Sequence, residues 1–357
     1  MPISAVDTIG LAFEHTKRQL FRPFRFWQWV RLAFVGLLAG ELGGGGNLNL
    51  PRSSQPGSLP TWGHGFPKID PAILASVITV LVITGLVVFL VLTYISSVMR
   101  FILFDGVLMR ECHIGAGWTR RQRNGWHYFL WQLVVLLATF AGFVLLIVLP
   151  AAFAFGMGWF SPPRAHIVQL VLTGIVVVAV FVIYMIAIAV VHVMTKDFII
   201  PQMALEGITA FEGWRRLLPM IRGEEKGYLV YILMKIVLSI VAAIAIGIVT
   251  AILALILAVP VIGVVATAIL AAQNGALTWN VLTITLAVIA GCIVLGIFFF
   301  LVSLISVPAI VFFPAYSMYF FAGRYRPLNM ALYPSAAQSA AVEGTPPPWT
   351  PPPLPAV

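Results

Sequence analysis

VITVLVITGLVVFLVLTYI, residues 77–95, and IVVVAVFVIYMIAIAVV, residues 175–191, carry no charged side chain. Roughly 20 apolar residues, rising 1.5 Å each, cross the hydrocarbon core of a bilayer, and these two runs have that length and character. The rest of the chain agrees with them. Of 357 residues 61% are hydrophobic and only 9% charged, and the mean hydropathy is +1.02. A soluble domain carries about a quarter charged residues, so one aqueous-facing globule could not hide this much apolar surface. The sequence reads as an all-α, polytopic transmembrane bundle.

Working outward from the two runs, hydropathy places spans at roughly 27–44, 72–98, 129–155, 167–194, 228–257 and 278–306, six in all within a range of five to seven. The first is the weakest, being short and carrying Arg31 and Glu41. Apolar sequence continues past the fifth to Ala272, interrupted by Pro260 and Gly263. That stretch reads as one span followed by an interfacial or re-entrant piece. Glu41 falls near the outer end of span one, while Arg31 and Lys235 are close enough to span ends for their stems to snorkel outward.

Charge placement tests the count independently. Lys17, Arg18, Arg22 and Arg25 precede span one, and Arg100, Arg110, Arg120, Arg121 and Arg123 separate spans two and three. Lys196, Arg215, Arg216, Arg222 and Lys226 separate spans four and five, and Arg324 and Arg326 follow span six. The opposite side has only Arg52, Lys68 and Arg164. The positive-inside rule then puts both termini in the cytoplasm. Trp27, Trp29, Trp126, Trp131, Tyr228 and Tyr231 on that side, with Trp159 and Trp279 on the other, read as headgroup-level anchors. A net charge of +9 and a pI near 9.9 therefore point to anionic lipid and orientation, not to nucleic acid.

The chain looks like three copies of one unit, roughly 5–110, 111–205 and 206–322, within a membrane domain of 1–334. AFEHTKRQLF (12–21) matches AFEGWRRLLP (210–219), with IGAGWTRRQ (114–122) as a weaker third member. After spans two, four and six come VMRFILFDGVLM (98–109), VMTKDFIIPQMA (193–204) and VPAIVFFPAYSM (307–318). Two-span units of this kind share one orientation, related by an axis along the membrane normal. In MALEGITAFEGWRRLL (203–218), Met203, Ile208, Phe211, Trp214 and Leu218 recur at helical spacing, and Val6, Ile9, Phe13 and Leu20 repeat the pattern. Helices so patterned can lie in the interface. Lys17, Arg18, Arg120, Arg121, Trp214, Arg215 and Arg216 are the candidate contacts to anionic headgroups, each charge worth roughly 1 kcal/mol there. Residues 43–71 read as an exposed loop. Residues 335–357, ending TPPPWTPPPLPAV, read as a disordered or polyproline II tail.

The chemical inventory is poor. GxxxxGK[ST], HExxH, GxSxG and CxxC are all absent. Six histidines are scattered, and Glu111-Cys112-His113 is the only tight cluster of metal-ligating types. Neighbours on a helix diverge by about 100 degrees, so no metal site is expected there. Cys112 and Cys292 form no disulfide framework. The N terminus has no cleavable-signal pattern, since its first apolar stretch contains Arg31 and runs into ELGGGGN. Asp105, Asp197 and Glu206 are expected to pair with the loop arginines as structural ion pairs. The expectation is a protein without catalytic residues or cofactor, organising membrane lipids, with a protein partner as a further expectation. The alternative is a transporter or channel for a small or amphiphilic solute.

RPFRFWQWVRLAFVGLLAGELGGGGN (22–47), DFIIPQMALEG (197–207), FEGWRRLLPMIRG (211–223) and VPAIVFFPAYSMYF (307–320) resemble a family of uncharacterised bacterial integral membrane proteins. The layout also resembles the membrane domain associated with glycerophosphoryl diester phosphodiesterases. The resemblance implies a bacterial cytoplasmic membrane and carries over no catalytic residue.

Overall fold

A computed structural model describes residues 4–41, 71–160, 166–274 and 280–333. Among them every regular element is a helix. α1 is Asp7–Phe21, α2 Phe26–Leu38 and α3 Pro71–Leu108. α4 is Ile114–Gly156 and α5 Ile167–Glu206, each containing one π turn. α6 is Ala210–Gly223, α7 Glu225–Gln273, α8 Val281–Ala322 and α9 Arg326–Leu332. The chain is an all-α helical bundle of the membrane-spanning type, because α3, α4, α5, α7 and α8 are each long and apolar enough to cross a bilayer.

Two of the expected spans come out differently. The first shrinks to α2, whose 13 residues rise only about 20 Å, short of the ~30 Å hydrocarbon core. α2 lies antiparallel to α3: Gln28 Nε2 donates to the Arg110 carbonyl at 2.6 Å, and Arg100 Nε donates to the Ala39 carbonyl at 3.0 Å. The fifth is a single 49-residue helix that continues through Pro260 and Gly263. Proline removes one hydrogen bond, but unwinding in hydrocarbon would strand many more, so the helix persists. Gly247, flanked by Ala243 and Ala251, has no neighbour within 4 Å, so this small-residue face packs no other span in the monomer. The expected loop at 43–71, apart from Pro71 at the start of α3, lies outside the described residues, as do the Pro-rich tail, Arg52, Lys68, Arg164 and Trp279.

Burial is concentrated at one end of the bundle. The C-terminal parts of α3, α5 and α8 and the starts of α4 and α7 pack there with α1, α2, α6 and α9. Phe198, Tyr231, Tyr316, Phe320 and Phe321 are fully buried, with Tyr231 and Tyr316 stacked at 5.2 Å. Close approach is by missing side chains: a Cβ on Gly125 would stand 2.5 Å from Val98, and one on Gly36 2.7 Å from Ile310. Beyond this base the five long helices expose Val, Ile, Leu and Phe on nearly every turn, as in Val80–Leu92 and Ile252–Leu270. Side chains of that kind stay exposed only where lipid is the solvent.

Both π turns have a sequence cause. Val144–Val148 runs up to Pro150 and Thr195–Ile199 up to Pro201. A proline ring crowds the carbonyl four residues back, and one wider turn relieves the clash. The second of these turns holds Lys196 and Asp197.

Candidate functional site

α1 buries a polar edge together with Leu20 and leaves much of its apolar face exposed. Thr8, Ala12, His15 and Gln19 pack inward, whereas Val6 and Phe13 are 56% and 66% exposed. Gln19 Nε2 donates to the Gly106 carbonyl at 2.8 Å, and His15 is held between Tyr319 Oη at 3.1 Å and the Val107 carbonyl at 3.0 Å. A carbonyl can only accept, so Nε2 carries the imidazole hydrogen and Nδ1 accepts from tyrosine. Burial pushes this histidine below its usual pKa, and Arg110 pushes the same way.

The expected site residues divide into inward-turned and outward-turned groups. Arg121 Nη2 and Nε donate to Asp105 at 2.6 and 2.8 Å, and Nη1 donates to the Ala204 carbonyl at 2.6 Å. Its side chain is only 13% exposed, while Arg120, also on Asp105, is 54% exposed. Trp214 is half-buried, and its indole N–H donates to Thr195 Oγ1 at 3.2 Å. Arg216 donates to Glu206 and Glu212, and the Tyr325 hydroxyl donates to Glu206. Burial first, then that carboxylate, raises the Tyr325 pKa. Lys17 and Arg18 face outward, Arg18 beside Glu14, and Arg215 is 82% exposed. Asp197 meets no loop arginine. Its carboxylate accepts from Lys235 and, at 2.9 Å, from the Tyr231 hydroxyl.

Hydropathy and charge counting missed a polar layer inside the packed base. Arg100, Lys196 and Lys235 stand roughly 12–15 Å along their helices from the basic end of the bundle. Glu41 is not at the far side of a span, because α2 stops halfway. Its carboxylate instead meets Lys196 Nζ at 2.5 Å. Lys235 does not snorkel; it is 13% exposed and turned onto Asp197. Arg100 donates to Tyr128 Oη at 2.5 Å as well as to Ala39. Neighbouring residues on a helix diverge by about 100 degrees, so Lys196 reaches α2 while Asp197 reaches α7. A small cavity of about 30 Å³ sits between the two pairs, lined by Glu41, Arg100, Lys196, Asp197 and Ser317. That is room for about one water. The available signal was Lys-Asp four residues before Pro201, with a lone lysine at the same depth on the next span.

Above this layer lies a cavity of about 880 Å³ between the end of α2 and helices α3, α4 and α5. Its base is Ser96, Tyr128, Gln132, His192 and Thr195, and its upper walls are Phe89, Leu92, Leu136, Met185 and Ile188. Polarity thus falls in one direction along all three long helices. Leu37, Phe89, Leu92 and Leu136 on its rim are 45–53% exposed, so it opens sideways at the level of the lipid-facing surface.

Other chemistry is dispersed. Cys112 and Cys292 are both free, and burial pushes the Cys112 thiol up to about 11. Among the described residues no three His, Cys, Asp or Glu side chains gather where a metal could sit. Asp105, Asp197 and Glu206 each answer to a different basic partner.

No curated protein and no solved structure matches the chain, and nothing links it to the membrane domain of glycerophosphoryl diester phosphodiesterases. The match that does exist spans nearly all of the packed base and its long helices, and by it this integral membrane protein belongs to a family of unknown function, DUF7544, whose model matches residues 3–331.

Proposed function

We propose that the protein organises anionic lipids at the bacterial cytoplasmic membrane, without catalysis, through the basic face of its packed base. The observation that carries the reading is the exposure of Lys17, Arg22, Arg123, Arg215, Arg222 and Lys226 at the end of the bundle that holds the packed core. Each such charge near a headgroup plane is worth roughly 1 kcal/mol. On this reading that end and both termini are cytoplasmic, and each of the three repeat units delivers a basic segment to the same side. A protein partner with an acidic surface would use the same face.

The test is lipid retention by the full chain in nanodiscs of mixed anionic and zwitterionic phospholipid. Anionic lipid should be enriched around the protein at low salt. Reversing Arg123, Arg215 and Arg222 to Glu together should abolish the enrichment, as should high salt, which shortens the Debye length. Equal retention of both lipids by the unmodified protein would refute the reading. The other reading, transport of a small or amphiphilic solute, is favoured by the sideways-opening cavity, and solute flux into liposomes containing the protein tests it.

A further inference from the structure

The cavity between α3, α4 and α5 has a chemistry of its own, independent of the basic outer face. At its base the Tyr128 hydroxyl is taken by Arg100, and Gln132 Oε1 is taken by Ser97 Oγ at 2.8 Å. The Gln132 amide N–H groups therefore remain as donors, and they line the cavity together with the exposed His192 imidazole, which donates from one nitrogen. Immediately beneath are three cations, Arg100, Lys196 and Lys235, against two carboxylates, Glu41 and Asp197. The base thus offers donors over an excess of positive charge. A hydrogen-bonded anion suits it, because charge-assisted bonds of this kind are the strong ones.

The walls select the rest of the ligand. Leu92, Leu136, Met185 and Ile188 are apolar, and the exposed rim admits a molecule laterally from lipid. A volume of about 880 Å³ lies within the ~300–1,000 Å³ typical of small-molecule sites. We propose that the cavity binds one acyl-chain amphiphile from the bilayer, its anionic carboxylate or phosphate head on Gln132 and His192 and its chain along the Leu92–Leu136–Met185 wall. This is a discrete binding site, whereas the basic face is a diffuse one.

The experiment uses the full chain in nanodiscs and three photoreactive probes with the same diazirine-bearing tail: a fatty acid, a phosphatidylglycerol and a head-less alkane. Label from at least one headed probe should concentrate in peptides covering 128–139 and 185–195, and the alkane should not compete with it. Label with the fatty acid alone assigns a carboxylate head, and with the phospholipid alone a phosphate head. Gln132→Leu removes the donor while Ser97 keeps its bond to the Thr93 carbonyl, and should reduce headed-probe labelling about tenfold. Leu136→Trp, which fills the cavity from the wall, should reduce it equally, with melting temperature checking that each variant is folded. Label spread evenly over α7 and α8, equal labelling by the alkane, or no change in folded variants would overturn the proposal. Failure here leaves the lipid-retention result intact, and charge reversal on the outer face leaves cavity labelling intact.

Discussion

Arg100 closes the C-terminal end of α2 from another helix, its Nε donating to the Ala39 carbonyl at 3.0 Å while its Nη1 donates to Tyr128. A short helix that stops inside the bundle leaves carbonyls without partners, and a guanidinium satisfies one of them while its charge complements the negative helix end.

Replacing Arg100 by Met should therefore loosen α2 from α3. The loss should be on the order of 3 kcal/mol, since it strands buried acceptors and removes a cation beside Glu41. Thermal unfolding in detergent reads it, and Arg100→Lys should rescue only in part because one ammonium cannot hold both acceptors. An unchanged midpoint in Arg100→Met would contradict the capping role.

The two pairs of the polar layer should behave as units. Asp197→Asn alone leaves Lys235 buried without its counter-charge and should cost about 3–5 kcal/mol. Lys235→Met in the same chain should recover much of that loss, giving a coupling energy well above zero. Additive effects in the double-mutant cycle would show that the pair is incidental.

Small residues should matter only where another helix touches them. Gly125→Ala places a methyl 2.5 Å from Val98 and 3.1 Å from its Cα, and should cost about 1–3 kcal/mol. Gly247→Ala meets nothing within 4 Å and should be neutral or slightly stabilising, since alanine is the better helix former. Reversed rankings in denaturation would mean that α7 packs closely in the folded protein after all.

His15 gives the base a dependence on acid. Its folded pKa lies below the ordinary histidine value of 6.5 through burial, reinforced by Arg110 and opposed by the Val107 carbonyl and Gln19. The folded state therefore binds fewer protons than the unfolded one, so stability is complete above the unfolded value and falls as pH drops through and below about 6.5. The slope reaches at most about 1.4 kcal/mol per pH unit from this group. Melting between pH 7.5 and 5.5 should show the decline, and His15→Gln should flatten it.

The medium, the long helices and the basic end were legible because each is written in composition: uncharged runs of bilayer length, and arginines gathered between alternate runs. Depth was not. Lys196 and Arg100 read as loop residues because each sits where hydropathy ends, yet their helices continue for roughly two to three more turns into protein. Glu41 read as the far end of a span because hydropathy cannot see that α2 stops after Leu38. α1 shows another limit. Periodicity marks Val6, Ile9, Phe13 and Leu20 as one apolar face, but only Leu20 is buried and Ile9 half-buried; Val6 and Phe13 stay exposed, and the helix docks by the edge where His15 and Gln19 answer backbone carbonyls of α3. Such pairings depend on which carbonyls a fold leaves open, and no local pattern records that.

The long helices are unequal, and the inequality gives the molecule two hydrophobic heights. From the level of Arg100, Tyr128 and Lys196, helices α3, α4 and α5 continue for roughly 42–44 Å by helical rise, whereas α7 and α8 continue for roughly 54–57 Å from Lys235 and Ser317. A flat membrane cannot match both. Either the α7–α8 hairpin leans over or the surrounding bilayer thickens along that flank alone, at fractions of a kcal/mol per Å. The protein would then sit as a wedge, favouring patches where membrane thickness already changes.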